Sequence, residues 1–162
     1  MSRLDSFIRR LSAQRSVLDW AAQAIRDVSG PVLEVGLGNG RTYDHLREKL
    51  PGRDIYAFDR ADNAHPQSKP AGDLLVLGEF SVTLPAFAAR HGAVAALIHC
   101  DTGSGDAAAN ARQAAWLSDL VPTLGRTGAI VLSDQRLTHP RLSVMTPPVE
   151  IPPERYFLYT IF

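Results

Sequence analysis

The most informative segment of this chain is a glycine-rich run, Glu34-Val35-Gly36-Leu37-Gly38-Asn39-Gly40. It follows a short apolar stretch typical of a buried strand and precedes a stretch with helical periodicity. Glycines let the backbone turn sharply and touch a ligand where a Cβ would collide, and a helix N-terminus offers unpaired N–H groups. A nicotinamide dinucleotide fingerprint would place a glycine at position 41, where this chain has Arg41. The run therefore indicates a ligand-binding turn of a different kind.

Acidic side chains follow the other predicted strands. Asp59 comes directly after a second apolar run, Glu79 follows a third and Asp101 a fourth. A fifth run is followed by Asp134 and Gln135. Because the carboxyl ends of parallel strands form one edge of a sheet, we expect Asp101, Asp134 and Gln135 to face a common crevice there.

Strand and helix signals alternate along the chain and predict how these residues are positioned. Apolar runs predict strands at 32–35, 55–58, 74–77, 94–98 and 129–132, with helices between them. The helix after the third strand is expected to carry Pro85 in its first turn and to end before Gly92. Strands that are apolar on both faces belong to a sheet covered on both sides. The pattern predicts an α/β fold, a Rossmann-like three-layer α/β/α sandwich.

The last part of the chain departs from this alternation. Residues 138–153 are too rich in proline for a helix, whereas residues 155–162 are aromatic and apolar throughout. The second segment suits a doubly buried strand paired with residues 142–145, so the mostly parallel sheet is expected to end in an antiparallel C-terminal strand. No covering helix intervenes here. The bare face would be filled by the N-terminal helix or by a second subunit.

The first thirty residues form a unit of their own. Residues 4–28 predict an amphipathic helix with two apolar stripes on nearly opposite sides, and Gly30-Pro31 ends it. A helix that is apolar on two sides is normally covered on both. We therefore expect residues 1–30 to act as a lid or an oligomer contact, residues 31–162 to form the ligand-binding domain, and the protein to be a homodimer or higher homo-oligomer.

Composition and charge bound the classes of function. The chain has 162 residues, of which 45% are hydrophobic and 21% charged, as in an ordinary globular domain. Seventeen basic and 17 acidic residues cancel, which gives no electrostatic reason to expect a nucleic acid or an anionic membrane as partner. The single cysteine, Cys100, excludes an internal disulfide and a cysteine-cluster metal site. With no apolar run that suits a bilayer or a signal peptide, a soluble, cytoplasmic protein is expected.

The glycine run and its surroundings resemble the class I S-adenosylmethionine-dependent methyltransferases, whose signature is an acid followed by Gly-x-Gly-x-Gly at the end of the first strand. The resemblance covers nearly the whole domain and implies S-adenosylmethionine as the cofactor. It gives Asp59 the ribose, Glu79 the adenine amine and Phe80 the face of the adenine ring, and it places Asp101 beside the methionine moiety and the substrate. The cofactor-binding residues that it implies are Glu34, Gly36, Leu37, Gly38, Gly40, Asp59, Arg60, Glu79, Phe80 and Asp101.

Two further motifs concern the substrate. Asp101, Asp134 and Gln135 look like the cation site of metal-dependent O-methyltransferases, but Gln135 replaces that family's Asn, so no metal is expected. The Asn-Pro-Pro-Tyr motif of methyltransferases that modify nucleic-acid amino groups is absent, since Asp101-Thr102-Gly103-Ser104 occupies its place. The resemblance thus implies a small-molecule acceptor and neither a nucleic-acid nor a membrane partner.

The expected activity is methyl transfer to a small-molecule acceptor, with Asp101 as the candidate base or substrate anchor. Three alternatives stay open. A non-catalytic protein that binds S-adenosylmethionine or S-adenosylhomocysteine would keep the glycine turn without a working base. A nicotinamide-dependent oxidoreductase would share the fold, although Glu34 and Arg41 disfavour it. A structural or interaction protein on the same scaffold would bind no adenosyl ligand.

Overall fold

The computed structural model describes residues 2–146 and 150–162. Over these residues the chain forms one seven-stranded sheet flanked by four helices. The strands are β1 (Val32–Val35), β2 (Ile55–Asp59), β3 (Leu75–Leu77), β4 (Ala95–Cys100), β5 (Gly125–Ser133), β6 (Leu142–Met145) and β7 (Phe157–Ile161). The helices are α1 (Arg3–Ala24), α2 (Arg41–Lys49), α3 (Phe80–His91) and α4 (Ala107–Leu124). Short 3-10 turns at Pro66–Ser68 and Gly72–Leu74 lie between β2 and β3.

The strand order across the sheet is β3-β2-β1-β4-β5-β7-β6. The first five strands of the chain run parallel, while β7 pairs antiparallel with both β5 and β6. The predicted fold class, with its antiparallel C-terminal strand, is therefore confirmed. Pairing of β1 with β4 sets Val35 opposite Cys100, which brings the turn after β1 next to Asp101.

Apolar side chains cover the sheet on both faces. On one face, buried residues of α3 and α4 pack against the sheet, among them Leu84 and Leu117. On the other face, Val17 and Leu18 of α1 join residues of α2 and Leu158 of β7 in a second cluster. Of the two ways to fill the bare face beside β7, the structure thus uses the N-terminal helix.

Three details differ from the sequence-based expectation. Helix α3 begins at Phe80, so Pro85 lies in its interior and the prediction for its first turn was wrong. The reason is packing: Phe80, Leu84 and Phe87 are all buried along one side, and this burial outweighs the hydrogen bond that Pro85 omits. Helix α1 ends earlier than expected, at Ala24. Strand β4 begins one residue later and ends two residues later than the predicted run, and β5 extends beyond its predicted run at both ends.

Helix α1 is buried unevenly along its length. Its second half packs on the sheet through Ala13 and Val17, whereas Leu4, Phe7 and Ile8 at its start are exposed. A capping box between Ser2 and Asp5 fixes where the helix begins. No helix in the described part of the chain is long and apolar enough to cross a membrane.

Candidate functional site

A cavity of about 460 Å³ lies at the carboxyl edge of the sheet, above β1, β2 and β4. Its floor is the glycine turn, and α1 forms one of its walls. Several of its lining residues were expected from the sequence: Gly36, Leu37, Gly38, Asp59, Arg60, Phe80 and Asp101. Others were not, namely Arg10, Leu11, Gln14, Asn39, Arg41, Thr42, Thr102, Gly103, Ser104, Ala109 and Gln113.

Two glycines of the turn are needed for close packing. Gly36 has a φ of +96°, and a Cβ there would lie 2.3 Å from the Asp101 carbonyl oxygen. Gly40 has a φ of +86° and caps α2, and its Cβ would lie 2.7 Å from the Ser68 carbonyl oxygen. Any side chain at either position would force the backbone apart. Gly40 does not line the cavity, so its part in the site is to shape the turn.

The Asp59 carboxylate holds the turn from the side of β2. One oxygen accepts a hydrogen bond from the Gly38 N–H at 2.8 Å, and the other accepts from the Arg60 N–H at 2.7 Å. Asp59 is half-buried and lines the cavity, so it retains acceptor capacity toward a bound ligand.

The residues after β3 divide between the cavity and the surface. Phe80 is buried and lines the cavity, as expected for an apolar surface. Glu79 does not line it; its carboxylate pairs with the Arg60 guanidinium at 3.2 Å on the exposed rim. The structure therefore gives Glu79 a contact with a cavity residue rather than a place in the cavity wall.

Glu34 lies below the site and does not line the cavity. Its side chain is fully buried and accepts a hydrogen bond from the Thr42 hydroxyl. Its other oxygen accepts from Nδ1–H of His99 at 2.7 Å. Burial works against a charge on His99, but the neighbouring carboxylate outweighs burial and raises the pKa of the imidazole above its ordinary value. Glu34 thus links β1 to β4 by a side-chain contact that lies beneath the glycine turn.

From His99 the polar contacts continue toward the cavity. His99 Nε2 lies 3.2 Å from the Tyr156 hydroxyl, and Gln14 of α1 donates to that hydroxyl at 2.7 Å. The same Gln14 nitrogen donates to Asp101 Oδ2 at 2.7 Å. Burial raises the pKa of Tyr156, which keeps the phenol neutral. Sequence reasoning missed Gln14 and Tyr156, although a glutamine beside the apolar stripe of α1 was a signal.

Asp101 also lines a second cavity, of about 450 Å³. Its walls are formed by residues that follow β4 and β5 and by the segment that precedes β7 in the chain. Its lining residues are Arg10, Asp101, Gly103, Ser104, Gly105, Asp134, Gln135, Glu154, Arg155 and Tyr156. Four residues, Arg10, Asp101, Gly103 and Ser104, therefore belong to both cavities, and Asp101 is the carboxylate among them.

Asp134 and Gln135 lie in this second cavity, as their position after β5 predicts. Asp134 accepts hydrogen bonds from the N–H groups of Gly103 at 2.8 Å and Thr102 at 3.3 Å, and from the Gln135 amide at 3.2 Å. Burial, with a contribution from the charge of Asp101, raises the pKa of Asp134. Within the described residues, no three His, Cys, Asp or Glu side chains are grouped closely enough to hold a metal ion.

One polar atom of the cavity wall lacks a partner. Among the described residues, the Thr102 hydroxyl oxygen is the buried side-chain polar atom without a hydrogen bond. Thr102 lines the first cavity next to Asp101. Since buried polar atoms are nearly always paired, this hydroxyl fits a site that is completed by a ligand.

The sequence profile of a family described as S-adenosyl-L-methionine methyltransferase matches residues 1–161. The chain belongs to this family. S-adenosylmethionine is accordingly the cofactor of this family, and the residues that line the cavity fit it. Asp59 offers a carboxylate for the ribose diol, and Phe80 offers an apolar ring for the adenine. Asp101 offers a second carboxylate beside the unpaired Thr102 hydroxyl. A search of curated proteins gives no sequence match.

The fold of this chain is similar to that of several solved structures. An S-adenosyl-L-methionine methyl transferase from Silicibacter pomeroyi is 41% identical, with a TM-score of 0.94 over 100% of this chain and 99% of that one. Cofactor-bound Rv0187 from MTB is 17% identical, with a TM-score of 0.61 over 91% of this chain and 79% of that one. The O-methyltransferase TomG from Streptomyces achromogenes is 19% identical, with a TM-score of 0.55 over 72% of this chain and 53% of that one. The last two show a shared fold only.

Proposed function

We propose that this protein transfers a methyl group from S-adenosylmethionine, bound in the first cavity, to a small-molecule acceptor bound in the second. The observation that carries the proposal is the Asp101 carboxylate, which lines both cavities. Two separate ligands could meet at this wall, as a transfer reaction requires. The second cavity suits an acceptor of modest size.

The first cavity offers different chemistry at its two ends. At the end formed by β2 and α3, Asp59 can accept from ribose hydroxyls and Phe80 can cover an adenine ring. At the end formed by α1 and β4, Arg10 and Asp101 provide opposite charges for an amino acid moiety. These features support an elongated ligand with a nucleoside at one end and a zwitterion at the other. Glu34, Gly40 and Glu79 support this site from outside its wall.

When bound, the sulfonium cofactor supplies a methyl group that already carries a good leaving group. The protein's part is to hold the acceptor in line, exclude water and, where needed, take up a proton. Within the described residues, Asp101 accepts one side-chain hydrogen bond, at Oδ2 from Gln14. Its other oxygen is therefore available to a ligand, and we assign Asp101 the role of anchor at the junction and candidate base.

The proposal extends to the assembly. Leu4, Phe7 and Ile8 present an exposed apolar surface at the start of α1, and this surface supports a homodimer or higher homo-oligomer. Size-exclusion chromatography with light scattering measures the mass directly, and a monomer would contradict this part of the proposal.

Calorimetric titration with S-adenosylmethionine and S-adenosylhomocysteine, after removal of any co-purified ligand, tests the cofactor site. Micromolar binding, about −8 kcal/mol, is expected. Acceptors are then screened by formation of S-adenosylhomocysteine. With an acceptor in hand, Asp101→Asn is assayed at saturating cofactor, where loss of turnover supports a catalytic enzyme. A protein that binds the cofactor but turns over no acceptor would instead support the non-catalytic alternative.

A further inference from the structure

A continuous chain of buried hydrogen bonds runs beneath the site and ends at Asp101. We call Glu34, His99, Tyr156 and Gln14 the buried relay. Its members come from β1, β4, the residue before β7, and α1. Consecutive members are joined by contacts of 2.7, 3.2 and 2.7 Å, and Gln14 reaches Asp101 at 2.7 Å. The relay thus ties the N-terminal helix to the carboxyl-end halves of the central strands β1 and β4.

The relay fixes the orientation of the Gln14 amide. The carboxylate of Asp101 only accepts hydrogen bonds, so the amide nitrogen rather than the oxygen must face it. The second N–H of that nitrogen is directed at the Tyr156 hydroxyl. Rotating the amide would set its oxygen against the Asp101 carboxylate and lose that hydrogen bond. The position of Asp101 Oδ2 is therefore set by Gln14, which lines the first cavity beside it, and through Gln14 by Tyr156, which lines the second.

Packing alone does not account for these residues. Gln14, Tyr156, His99 and Glu34 are between 0% and 6% exposed. Burying four polar side chains gives no more stability than an apolar cluster of the same volume would, because their desolvation offsets what they gain. Asp101, in contrast, is only half-buried and faces the ligand cavities. The relay begins in the core and ends at the one carboxylate that both ligands would touch.

We propose that Gln14 is a positioning residue for the cofactor's amino acid moiety: held by Tyr156, it fixes the Asp101 carboxylate that receives the ammonium group. This inference rests on the proposed function and adds to it a specificity role for helix α1. The nucleoside end of the ligand is held by Asp59 and Phe80, which the relay does not touch. Gln14 therefore contributes to the binding of the amino acid moiety and not to the binding of the nucleoside.

Two probes separate the two parts. S-adenosylhomocysteine carries the amino acid moiety, whereas 5′-methylthioadenosine has the same nucleoside and thioether without it. Gln14→Met keeps an unbranched side chain of similar length and removes both donors. We expect it to weaken S-adenosylhomocysteine about tenfold, as for the loss of a hydrogen bond to a charged group, with less than about twofold change for 5′-methylthioadenosine.

The matched control is Gln23→Met, the same substitution on the exposed side of α1, where the Gln23 side chain accepts a hydrogen bond from Arg26. It should leave both affinities unchanged. Circular dichroism melting of each variant checks that it folds. Should Gln14→Met fail to fold, Tyr156→Phe carries the same test, since it removes the hydroxyl that holds the Gln14 amide.

A double-mutant cycle completes the design. If Gln14 acts through Asp101, Gln14→Met combined with Asp101→Asn weakens S-adenosylhomocysteine no more than Asp101→Asn alone. Equal losses for both probes, no loss for either, or additive losses in the cycle would each overturn the proposal, because Gln14 would then only pack α1 or act elsewhere. A wild-type protein that binds neither probe would instead overturn the proposed function.

Discussion

The two ends of the first cavity are built in opposite ways. At the β2 end, Asp59 is positioned by backbone N–H groups of its neighbour Arg60 and of Gly38 in the turn beside it. At the α1 end, Asp101 is positioned by Gln14, a residue 87 positions away in the chain, and by the buried relay behind it. One end is held by backbone N–H groups within 21 positions of Asp59 in the chain, and the other by side chains from distant parts of it. The comparison predicts that the two ends respond differently to mutation and to pH.

The largest effect is expected on stability, when the buried relay is interrupted at His99. His99→Leu removes the imidazole that pairs with the buried Glu34 carboxylate and leaves it only the Thr42 hydroxyl, so the free energy of unfolding should fall by about 3 to 5 kcal/mol. Urea denaturation followed by circular dichroism measures it. His65→Leu, an exposed position near the β2 end, is the control and should cost far less. If both variants lost a similar amount of unfolding free energy, stability would not depend on the buried relay more than on the β2 end of the cavity.

At the β2 end, Asp59→Ala should act on binding. It removes the acceptor that holds the Gly38 N–H and that faces the ligand, so affinity should fall by about 10- to 100-fold for both S-adenosylhomocysteine and 5′-methylthioadenosine. Isothermal titration calorimetry measures both, with Asp73→Ala as an exposed control. A loss confined to S-adenosylhomocysteine would show that Asp59 and the relay serve the same part of the ligand.

The pH dependence of stability should come from the relay end. Because the pKa of His99 is raised in the folded protein, its contribution is fully present below the unfolded value of about 6.5 and is lost as pH rises through the folded value. The free energy of unfolding should therefore decline on going from pH 6 toward alkaline pH. The decline should flatten in His99→Gln. An unchanged slope in that variant would assign the effect to another group.

The smallest effect is expected on the exposed rim. Glu79→Ala removes the partner of Arg60, but both side chains are more than half exposed, so the pair is screened by solvent. Affinity for either probe should change by less than about twofold, the range expected for an exposed ion pair. A larger loss of affinity would mean that Glu79 contacts the ligand, as the family resemblance implies. The binding site at the β2 end would then include this exposed residue.

The same contrast explains what the sequence could and could not reveal. Gly36, Gly38 and Asp59 were predictable because a strand followed by glycines allows few backbone paths, and the next strand must end beside them. The sheet was predictable because each strand is marked by its own apolar run. The start of α3 was predicted wrongly from Pro85, because proline favours the first turn of a helix. Burial of the neighbouring apolar residues outweighed this preference.

Gln14 and Tyr156 belong to the other category. No spacing rule relates two residues that are 142 positions apart, and neither carries a motif. Their contact depends on where α1 comes to rest on the sheet, which follows from the summed packing of Val17, Leu18 and their neighbours. Glu34 shows a mixed outcome: its place in the motif was clear, but its burial beneath the turn was not.

The span of the Gln14–Tyr156 contact has a consequence for biosynthesis. The ribosome makes α1 first, yet the hydroxyl that orients its Gln14 amide is added 142 residues later. At the β2 end, by contrast, the hydrogen-bond partners of Asp59 are Gly38 and Arg60, so every residue of that contact has been synthesised before β4 is translated. The α1 end closes only after Tyr156 has emerged. The contacts of the α1 end therefore become available later in synthesis than those of the β2 end, and the complete first cavity requires both.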